Sequence, residues 1–338
     1  MPEPKQIRVA IACNIKTRRT TDSEAEFDEP ETVAAIASAL VFGGYDVSQI
    51  EATTEFLRKL EAVSPDIVFN IAEGQLGRNR EAQVPAFLDY VGVPYTGSDS
   101  LTLALTLNKA MSKRLAQSYG VKTPAFRLLT PAEAHSVFSD GPGLDFPVLV
   151  KPNAEGSSKG ISDDCVAMDI DYLRTLIERL LNSYKGDILL EEYIDGREFT
   201  VGILGNGENL HIFEPMEIIY RKLRGSYKVY SYEVKQNYRD YISYECPPKL
   251  APELVFELKQ SAETIYQAFS CLDYARIDFR LADDGQIYFI EANPIPGLAP
   301  DYSDFPMLAA FNGIEYDELI CKMLECALER TEYGRRAR

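Results

Sequence analysis

The stretch YARIDFRLADDGQIYFIEANPIPG, from Tyr274 to Gly297, carries more information about the fold than any other part of this sequence. Two runs that alternate apolar with polar residues flank Asp284-Gly285, and a DG pair between such runs is the strongest short-range signal of a β-hairpin. We therefore predict a hairpin with a two-residue loop at 284–285. That register gives one polar face, with the opposed pairs Asp278/Glu291 and Arg276/Asn293. The other face is apolar and carries Ile277, Phe279, Ile290 and Ala292.

The opposed acidic pair of this hairpin points to a cation. Like charges directly opposite each other destabilise a sheet, so Asp278 facing Glu291 suggests that a cation lies between them. Carboxylate oxygens with an amide beside them, and no His or Cys, suit Mg²⁺ better than Zn²⁺. For the acidic pair alone, a solvated outer face is the alternative. The neighbouring Arg276 and Asn293 and the Pro-Gly exit of the second strand favour the cation site.

Composition and charge limit the class of protein. With 338 residues, of which 46% are hydrophobic and 26% charged, the chain is typical of a soluble globular protein of two or three domains. A net charge of −17 argues against a nucleic-acid partner, because phosphate backbones are bound by clustered Lys and Arg. The six cysteines form no CxxC pair, which predicts reduced thiols in a cytosol. We also expect no signal peptide and no contact with a membrane, since no long apolar run occurs.

The N-terminal third has the pattern of a wound βαβαβ sheet. The predicted elements are a strand at 7–12, a helix from near Asp28, a strand at 46–50, a helix at 53–63 and a strand at 66–72. Asp28 and Glu31, with Pro30 in the first turn, make a good capping arrangement for the first helix. Ligands bind beyond the carboxyl ends of strands in such sheets, so 12–28 and 71–83 are candidate binding loops.

A Gly/Ser-rich loop follows a predicted strand near the middle of the chain. In FPVLVKPNAEGSSKGI, the apolar strand ends at Lys151, and the loop after it can point backbone N–H groups, Ser hydroxyls and Lys159 at an anion. It is not a Walker A motif, because GxxxxGK[ST] is absent. An ordinary turn with a solvated lysine is the alternative.

Two more segments complete the pattern. Residues 107–119 predict a helix, and ILLEEYIDGREFTVGIL predicts two strands joined at Asp195-Gly196, with Glu191 and Glu198 near the junction. Charged residues beside a turn are usually solvated, and that is the alternative here.

Taken together and in this order, the motifs KP-EGSS-G, EEYIDGREFTV, RID and EANP-PG resemble those of the ATP-grasp enzymes, specifically the D-alanine:D-alanine ligase family. The resemblance runs from about Tyr95 to the end and includes PYTGSDSLTLALTLNKAMSKRL, which looks like the family's central segment. It implies an α/β and α+β fold. An N-terminal βαβ wound domain (1–105) would precede a central ATP-grasp domain (106–186) and a C-terminal one (187–330), with a lid at about 221–243.

The resemblance implies which residues would hold the ATP phosphates. Lys109 and Lys151 would hold the α- and β-phosphates. The loop 153–160, with Ser157 and Ser158, would close over the β- and γ-phosphates.

It also implies contacts to the rest of the nucleotide. Glu191 and the backbone near Ile194 would read the adenine edge, and Glu198 would bind the ribose hydroxyls. Lys235, in YSYEVKQ, would approach the γ-phosphate from the mobile lid, because this segment resembles the family's YDYEAKY.

At the reacting centre, Asp278, Glu291 and Asn293 would hold two Mg²⁺ ions, with Mn²⁺ as the alternative ion. Arg276 and the Gly297 backbone N–H would stabilise charge on the acyl group. The implied chemistry is transfer of the γ-phosphoryl group to a substrate carboxylate, followed by attack of an amine on the acyl phosphate.

Departures from the family's pattern concern the substrates. Where the family has HG-x-x-GEDG-x-x-Q, this chain reads EGQLGRNREAQ, which puts Glu73 at the His position and Arg78 and Asn79 at the Glu-Asp positions. We therefore expect Glu73 and Arg78 to face the first substrate. Gln236 replaces the Tyr that often hydrogen-bonds the loop serine, here the retained Ser157, for which we expect a catalytic role.

Two further departures lie at the ends of the chain. The N-terminal loop lacks the family's GG-x-S-x-E, which leaves four uncertain stand-ins for the carboxylate that binds the first substrate's ammonium: Glu24, Glu26, Glu29 and Glu31. Near the second substrate, Ser303 matches the family and Asp304 does not. An extra acid there could bind a cationic group on the acceptor.

These features predict an ATP-dependent carboxylate-amine ligase that joins two amino-acid-like substrates other than two D-alanines. A cell-wall D-alanine:D-alanine ligase is one alternative, and a non-catalytic ATP-binding paralogue is another; complete metal ligands and both phosphate lysines argue against the latter. The resemblance alone implies a homodimer formed through the N-terminal domain.

Overall fold

The computed structural model describes residues 6–17 and 24–336. Part of the predicted binding loop 12–28, residues 18–23, lies outside the described residues, as do residues 1–5. The strands are β1 (Arg8–Cys13), β2 (Asp46–Glu51), β3 (Ile67–Asn70), β4 (Phe126–Leu129), β5 (Val148–Pro152), β6 (Val166–Ala167), β7 (Ile188–Glu192), β8 (Arg197–Leu204), β9 (His211–Ile212), β10 (Met216–Tyr220), β11 (Ile242–Glu245), β12 (Tyr274–Leu281) and β13 (Ile287–Asn293). The helices are α1 (Pro30–Phe42), α2 (Phe56–Val63), α3 (Gln83–Val91), α4 (Ser100–Leu107), α5 (Lys109–Ser118), α6 (Val137–Asp140), α7 (Ile170–Ser183), α8 (Tyr232–Gln236), α9 (Tyr238–Tyr241), α10 (Pro252–Ala268), α11 (Asp304–Phe311) and α12 (Tyr316–Arg336).

The N-terminal sheet is parallel, in the order β2-β1-β3, as the alternating pattern predicts. The predicted start of α1 is wrong in one respect. The N-cap is Glu29, whose side chain makes no capping hydrogen bond, so the expected arrangement of Asp28 with Glu31 does not form. Pro30 alone fits the first turn, because its missing N–H would have no partner there. Asp28 faces a cavity instead.

The central sheet is antiparallel, in the order β4-β7-β5-β6, and α7 packs on it. The domain boundary expected between residues 186 and 187 stays a prediction. It would assign β7 to the C-terminal domain, whereas β7 pairs with both β4 and β5 in the central sheet. The sheet that β7 joins is not visible in the sequence, because β7 and β8 are both apolar runs on either side of one turn.

The third sheet is antiparallel, with the order β11-β10-β8-β12-β13 and β9 paired at β8. The predicted hairpin is β12 and β13, and the pairs Arg276/Asn293 and Asp278/Glu291 are confirmed. The predicted loop is wrong: Ala282 pairs with Gln286 around a three-residue turn in which Gly285 has φ +83°. A bulge at Ile290 then shifts the register back by one residue.

The bulge also changes which side chain enters the core. Phe289 is fully buried beside Phe279 and Ile277, in the position predicted for Ile290. Ile290 is only half-buried and lines the cavity. The extra residue in the turn and the bulge at Ile290 each shift the register by one residue in opposite directions. The polar face therefore has the predicted pairing although the predicted loop length is wrong.

The two ends of the chain share one hydrophobic core. Leu319 and Met323 of α12 pack with Ile36 of α1 and with Ile11 and Phe69 of the N-terminal sheet. Along the described part of the chain, no helix combines the length and apolarity required for a membrane span.

Candidate active site

A single cavity lies between the three sheets and gathers most of the residues that the sequence singles out. Its lining includes the predicted positions Glu73, Lys109, Lys151, Ser157, Ser158, Glu191, Ile194, Glu198, Lys235, Arg276, Asp278, Glu291, Asn293 and Gly297. Arg78, Ser303 and Asp304 do not line it. Residues separated by more than 200 positions in the sequence thus meet in one cavity.

Asp278 and Glu291 face each other across β12 and β13 at one wall of the cavity. Asp278 accepts hydrogen bonds from Thr200 Oγ1 (2.7 Å), from the Arg276 guanidinium (2.9 and 3.0 Å) and from Asn293 Nδ2 (3.0 Å). Burial, with the Glu291 charge as a further contribution, raises the pKa of Asp278.

Glu291 differs from Asp278 in its partner. It lies 3.3 Å from Lys109 Nζ. Burial alone would raise its pKa, but Lys109, Lys151 and Arg276 together lower the pKa of Glu291 to about 2. The two carboxylates and the amide of Asn293 form a donor set of hard oxygens, which fits Mg²⁺.

Lys109 and Lys151 are both buried beside this wall. Lys109 is the first residue of α5, and its Nζ also donates to the Glu155 carbonyl (2.8 Å). Lys151, at the end of β5, lies 2.6 Å from Glu191 Oε2. Glu191 and Glu291 raise the pKa of Lys151 against the opposing effect of burial, so it stays cationic.

The carboxylate of Glu191 lies between two lysines, which compete with a nucleobase for it. Besides Lys151, it pairs with Lys113, which is fully buried and also donates to Thr123 Oγ1 (2.9 Å). Burial lowers the pKa of Lys113 to about 8. Sequence reasoning missed Lys113, although it follows Lys109 by four residues, which places both on one face of a helix.

The Ile194 and Glu198 end of the cavity is organised by Arg280. Its guanidinium donates to the Ile194 carbonyl (2.8 Å) and to Glu198 Oε2 (3.0 Å), and Tyr220 donates to the same carboxylate (2.7 Å). The Ile194 carbonyl accepts one hydrogen bond from Arg280, and its second lone pair can still accept the adenine contact expected near Ile194. Sequence reasoning also missed Arg280, although the alternation of side chains along β12 puts it on the same face as Asp278.

The Gly/Ser loop is held in an unusual backbone conformation. Ser157 and Ser158 have φ values of +48° and +57°, a left-handed region that costs a non-glycine residue energy unless its surroundings hold it there. Ser158 Oγ donates to the Tyr230 carbonyl (2.8 Å), which ties the loop to the predicted lid segment 221–243.

Within that segment, Lys235 lines the cavity and lies in no ion pair with any described residue. Burial lowers its pKa, against the opposing effect of Asp304. The segment contacts the rest of the protein through Ser231 Oγ and Asp163 (2.5 Å) and through Tyr238 OH and the Asp301 carbonyl (2.7 Å).

Ser303 and Asp304 are buried outside the cavity lining, so the expectation that Asp304 is available to bind a cation on the acceptor is wrong. Asp304 accepts hydrogen bonds from Tyr230 (3.3 Å) and Tyr244 (2.9 Å) and lies 3.7 Å from Arg276. Ser303 Oγ accepts from the Ala299 N–H (3.1 Å). Ser303 supports the turn that follows Gly297, and Asp304 lies beside the guanidinium of Arg276.

The opposite end of the cavity, which we call the acidic end, is lined by Glu26, Asp28, Glu73 and Glu81. Burial raises the pKa of Asp28 to about 7, with Glu29 adding to the shift. Burial and the Glu26 charge raise the pKa of Glu81 to about 7 as well. The pKa of Glu73 is raised well above its usual range, chiefly by burial.

Arg80, and not Arg78, is the arginine beside this acidic end. Arg78 is exposed and lies outside the cavity, so its predicted contact with the first substrate is wrong. Arg80 is buried; its Nε donates to Glu26 Oε2 (2.9 Å), its Nη1 donates to the Ala154 carbonyl (2.9 Å), and Glu155 lies 3.4 Å away. No pattern in EGQLGRNREAQ distinguishes the two arginines, because the loop has no regular periodicity.

The four N-terminal acids that were expected as alternatives lie in different surroundings. Glu26 is the one that lines the cavity, where it accepts a hydrogen bond from the Gly156 N–H (2.5 Å). Glu24 accepts from Thr17, Glu29 lies 3.3 Å from Lys16, and Glu31 is exposed on α1.

Comparison with known proteins agrees with this geometry. A family model described as "D-ala D-ala ligase C-terminus" matches residues 115–325, more than half of the chain. A D-alanine–D-alanine ligase of Saccharophagus degradans is 34% identical over 296 residues, which cover 86% of this chain and 87% of that protein.

Two solved structures share the fold. D-alanine–D-alanine ligase from Bacillus anthracis complexed with ATP has a TM-score of 0.77 at 22% identity, covering 98% of this chain and 100% of that chain. VanG D-Ala:D-Ser ligase from Enterococcus faecalis has a TM-score of 0.73 at 20% identity, covering 96% of this chain and 100% of that chain. The fold, the family model and the 34% identity together show that this chain belongs to the D-alanine–D-alanine ligase family of ATP-grasp enzymes, which are ATP-dependent ligases that form amide bonds.

Proposed function

We propose that this enzyme joins two amino-acid-like substrates, with ATP converting the carboxylate of the first into an acyl phosphate. A carboxylate is a poor electrophile at neutral pH, whereas an acyl phosphate is readily attacked by an amine. The observation that supports this proposal most directly is the convergence of three cations, Lys109, Lys151 and Arg276, on a wall that also carries the opposed acids Asp278 and Glu291.

Each of these residues has a part in the proposed reaction. Lys109 and Lys151 hold the phosphates, and Lys235 approaches the transferred group from the lid. Arg276 and the Gly297 N–H face the acyl group, where preorganised donors stabilise developing negative charge. Ser157 and Ser158 hold the loop that covers the β- and γ-phosphates, while Glu191, Ile194 and Glu198 surround the base and ribose.

Asp278, Glu291 and Asn293 would hold two Mg²⁺ ions. Mg²⁺ bound there neutralises phosphate charge and orients the transferred group. The ionised state of Glu291 suits that role, and so does the side-chain amide of Asn293, whose Nδ2 donates to Asp278 and whose other terminal atom is an oxygen.

We propose that residues 221–243 form a lid that closes over ATP and substrate and keeps water from the acyl phosphate. Hydrogen exchange of this segment should slow several-fold when an ATP analogue and substrate are added. Peptides from α10, which lies behind the third sheet, serve as the internal control. Equal exchange of 221–243 in both states would contradict the lid.

The acidic end supports substrates other than two D-alanines. A site for one ammonium and one methyl group needs one counter-charge, whereas four carboxylates line this end. A buried charge without a partner costs several kcal/mol, on the order of 10²-fold or more in substrate choice. D-alanine:D-alanine ligation is the second candidate, since relatives carry that name, and VanG carries the name of a D-Ala:D-Ser ligase.

Phosphate release in pairwise amino-acid mixtures tests the proposal. D-alanine as sole substrate should give a kcat/KM below the ordinary enzyme range of about 10⁴ M⁻¹s⁻¹, and at least one other pair should exceed it. A value for D-alanine at or above that figure would restore the D-alanine:D-alanine assignment. ATP binding without phosphate release from any pair would favour a non-catalytic paralogue.

Two broader predictions accompany the proposal. We place the enzyme in the cytoplasm, because all six cysteines are unpaired. Dimerisation through the N-terminal domain stays a prediction, which sedimentation at several concentrations would test.

A further inference from the structure

We infer that the substrate whose carboxylate is phosphorylated carries a cationic group in addition to its α-ammonium, and that Glu73 and Glu81 bind this group. The inference rests on the proposed function, since it names the substrate class of that site.

The acidic end adjoins the phosphate machinery. Glu26 contacts the Gly156 N–H of the phosphate-covering loop, and the charges of Lys109 and Glu291 both act on Glu81. A substrate held at this end therefore presents its carboxylate toward the γ-phosphate. This position belongs to the substrate that is activated and not to the attacking amine.

Among the residues of the acidic end, Glu81 gives the strongest indication that a ligand binds there. Its side chain is nine-tenths buried and lines the cavity, yet its carboxylate has neither a hydrogen bond nor an ion pair with any residue that the structure describes. A buried carboxylate in that condition costs free energy until a donor or a cation reaches it. The cavity is the direction from which such a group can come.

The backbone of the 73–81 loop is built to bring Glu73 beside Glu81. Gly74 has φ +74°, and a Cβ at that position would collide with the Arg80 carbonyl, so the chain passes too close to itself for any other residue. The buried Asn14 fixes the turn, because its Oδ1 accepts from the Gly74 N–H (3.0 Å) and its Nδ2 donates to the Ala52 carbonyl (3.1 Å).

The acids of this end differ in whether a base already pairs with them. Arg80 pairs with Glu26 and lies close to Glu155. Asp28, Glu73 and Glu81 lie in no ion pair among the described residues, so they can accept a cationic group besides the α-ammonium, and such a cation would favour their ionised forms, which burial disfavours.

A metal ion does not fit this end as well as an organic cation does. No group of three or more acidic, His or Cys side chains in the described parts of the chain converges closely enough to hold a metal ion. An amino acid with a side-chain amine spans separated carboxylates, because its two ammonium groups are joined by a flexible aliphatic chain. Diaminopropionate, ornithine and lysine are members of this class with increasing length.

The test measures kcat/KM from phosphate release with each diamino acid, in both enantiomers, and with norleucine, which has the length of lysine without its side-chain amine. Each is assayed alone and with a small neutral amino acid as acceptor. We expect at least one diamino acid to exceed norleucine by tenfold or more. Fragmentation of the product in a mass spectrometer should place the cationic residue at the N-terminal position.

Glu73→Gln and Glu81→Gln should each reduce the ratio of kcat/KM for the diamino acid over norleucine at least fivefold. A ratio within one enzyme preparation is independent of how much protein is folded. Glu61→Gln on the exposed face of α2 is the matched control and should leave the ratio unchanged.

Either of two kinetic results would overturn the inference and leave the proposed function standing: norleucine used as well as every diamino acid, or a ratio unaffected by both glutamine variants. A cationic residue found only at the C-terminal position of the product would also overturn it. Absence of phosphate release with every amino-acid pair would instead overturn the proposed function and, with it, this inference.

Discussion

In the part of the cavity where we propose that ATP binds, which we call the nucleotide end, each buried acid has a buried base beside it. At the acidic end, three of four carboxylates have none among the described residues. Glu191 lies between two lysines, Glu198 contacts Arg280, and Glu291 contacts Lys109. Among the described residues of the acidic end, only Glu26 has such a partner, Arg80.

This difference separates two ways of building a binding site. Paired buried charges largely compensate each other's desolvation and fix each other's geometry before any ligand arrives. An unpaired buried charge is compensated only when a ligand brings a partner for it. Unpaired charges therefore determine which ligand binds. We therefore expect substitutions at the nucleotide end to reduce the rate for all substrates, and substitutions at the acidic end to change which substrate is preferred.

The largest effect should come from Glu291→Gln. The variant keeps the shape of β13 but removes one negative charge from the proposed Mg²⁺ site, and loss of metal stabilisation should cost several kcal/mol in the transition state. Phosphate release should fall by more than about 10²-fold, with the thermal transition preserved. Asp283→Asn in the exposed hairpin turn is the control. A rate above about a tenth of wild type would contradict the proposal that Glu291 binds Mg²⁺.

Lys151→Ala should weaken nucleotide binding at least tenfold. It removes a cation from the phosphate side and leaves the buried Glu191 with Lys113 alone, so Tm should fall too, because losing one partner of a buried pair costs about 3 kcal/mol. Titration with an ATP analogue and Mg²⁺, below the unfolding transition, measures the affinity. Lys185→Ala, an exposed lysine of the central domain, is the control. Unchanged affinity would mean that Lys151 only stabilises the fold.

Asp304→Asn should lower kcat about tenfold while nucleotide affinity stays within twofold of wild type. Asp304 acts through Arg276 and Tyr230 and is not itself in the cavity lining, so its loss should disturb the acyl side and not the phosphates. The exposed Asp301, whose left-handed backbone suits asparagine, gives the control Asp301→Asn. An affinity loss with kcat unchanged would contradict this positioning role.

The smallest effect concerns stability at the acidic end. An acid whose pKa is raised on folding costs stability as pH rises from its unfolded pKa, about 3.9 for Asp, to its folded value, about 7 for Asp28. Asp28→Asn avoids that cost, so its Tm should equal that of wild type near pH 4 and exceed it by a few degrees at pH 8. Scanning calorimetry at pH 4, 6 and 8 measures this. A lower Tm than wild type at pH 8 would show that Asp28 has a compensating partner.

Sequence patterns predicted the nucleotide end better than the acidic end for a physical reason. Strand alternation and motif order place Asp278, Glu291 and Arg276, because regular structure fixes where side chains point. The loop 73–81 has no such regularity. Its path depends on Gly74 packing against Arg80 and on Asn14, which follows β1, and long-range contacts of this kind are not visible in local sequence.

The hairpin shows the same limit on a smaller scale. The DG signal predicted a turn and the opposed acids, but not the extra loop residue or the bulge at Ile290. Both depend on whether Phe289 or Ile290 fills the core beside Phe279, which is a matter of packing between elements. Likewise, β7 belongs to the central sheet because β4 and β5 pair with it, and nothing within its own five residues indicates that.

The shared core of α1, the N-terminal sheet and α12 has a consequence for synthesis on the ribosome. Domains usually fold in order as they emerge. Here the first sheet cannot bury Ile11 and Phe69 fully until Leu319 and Met323 have left the exit tunnel, roughly 250 residues after β3. The nascent N-terminal segment therefore exposes an apolar surface through most of translation, and a chain that is cut short before α12 should be a substrate for chaperones or proteases and not a smaller folded protein.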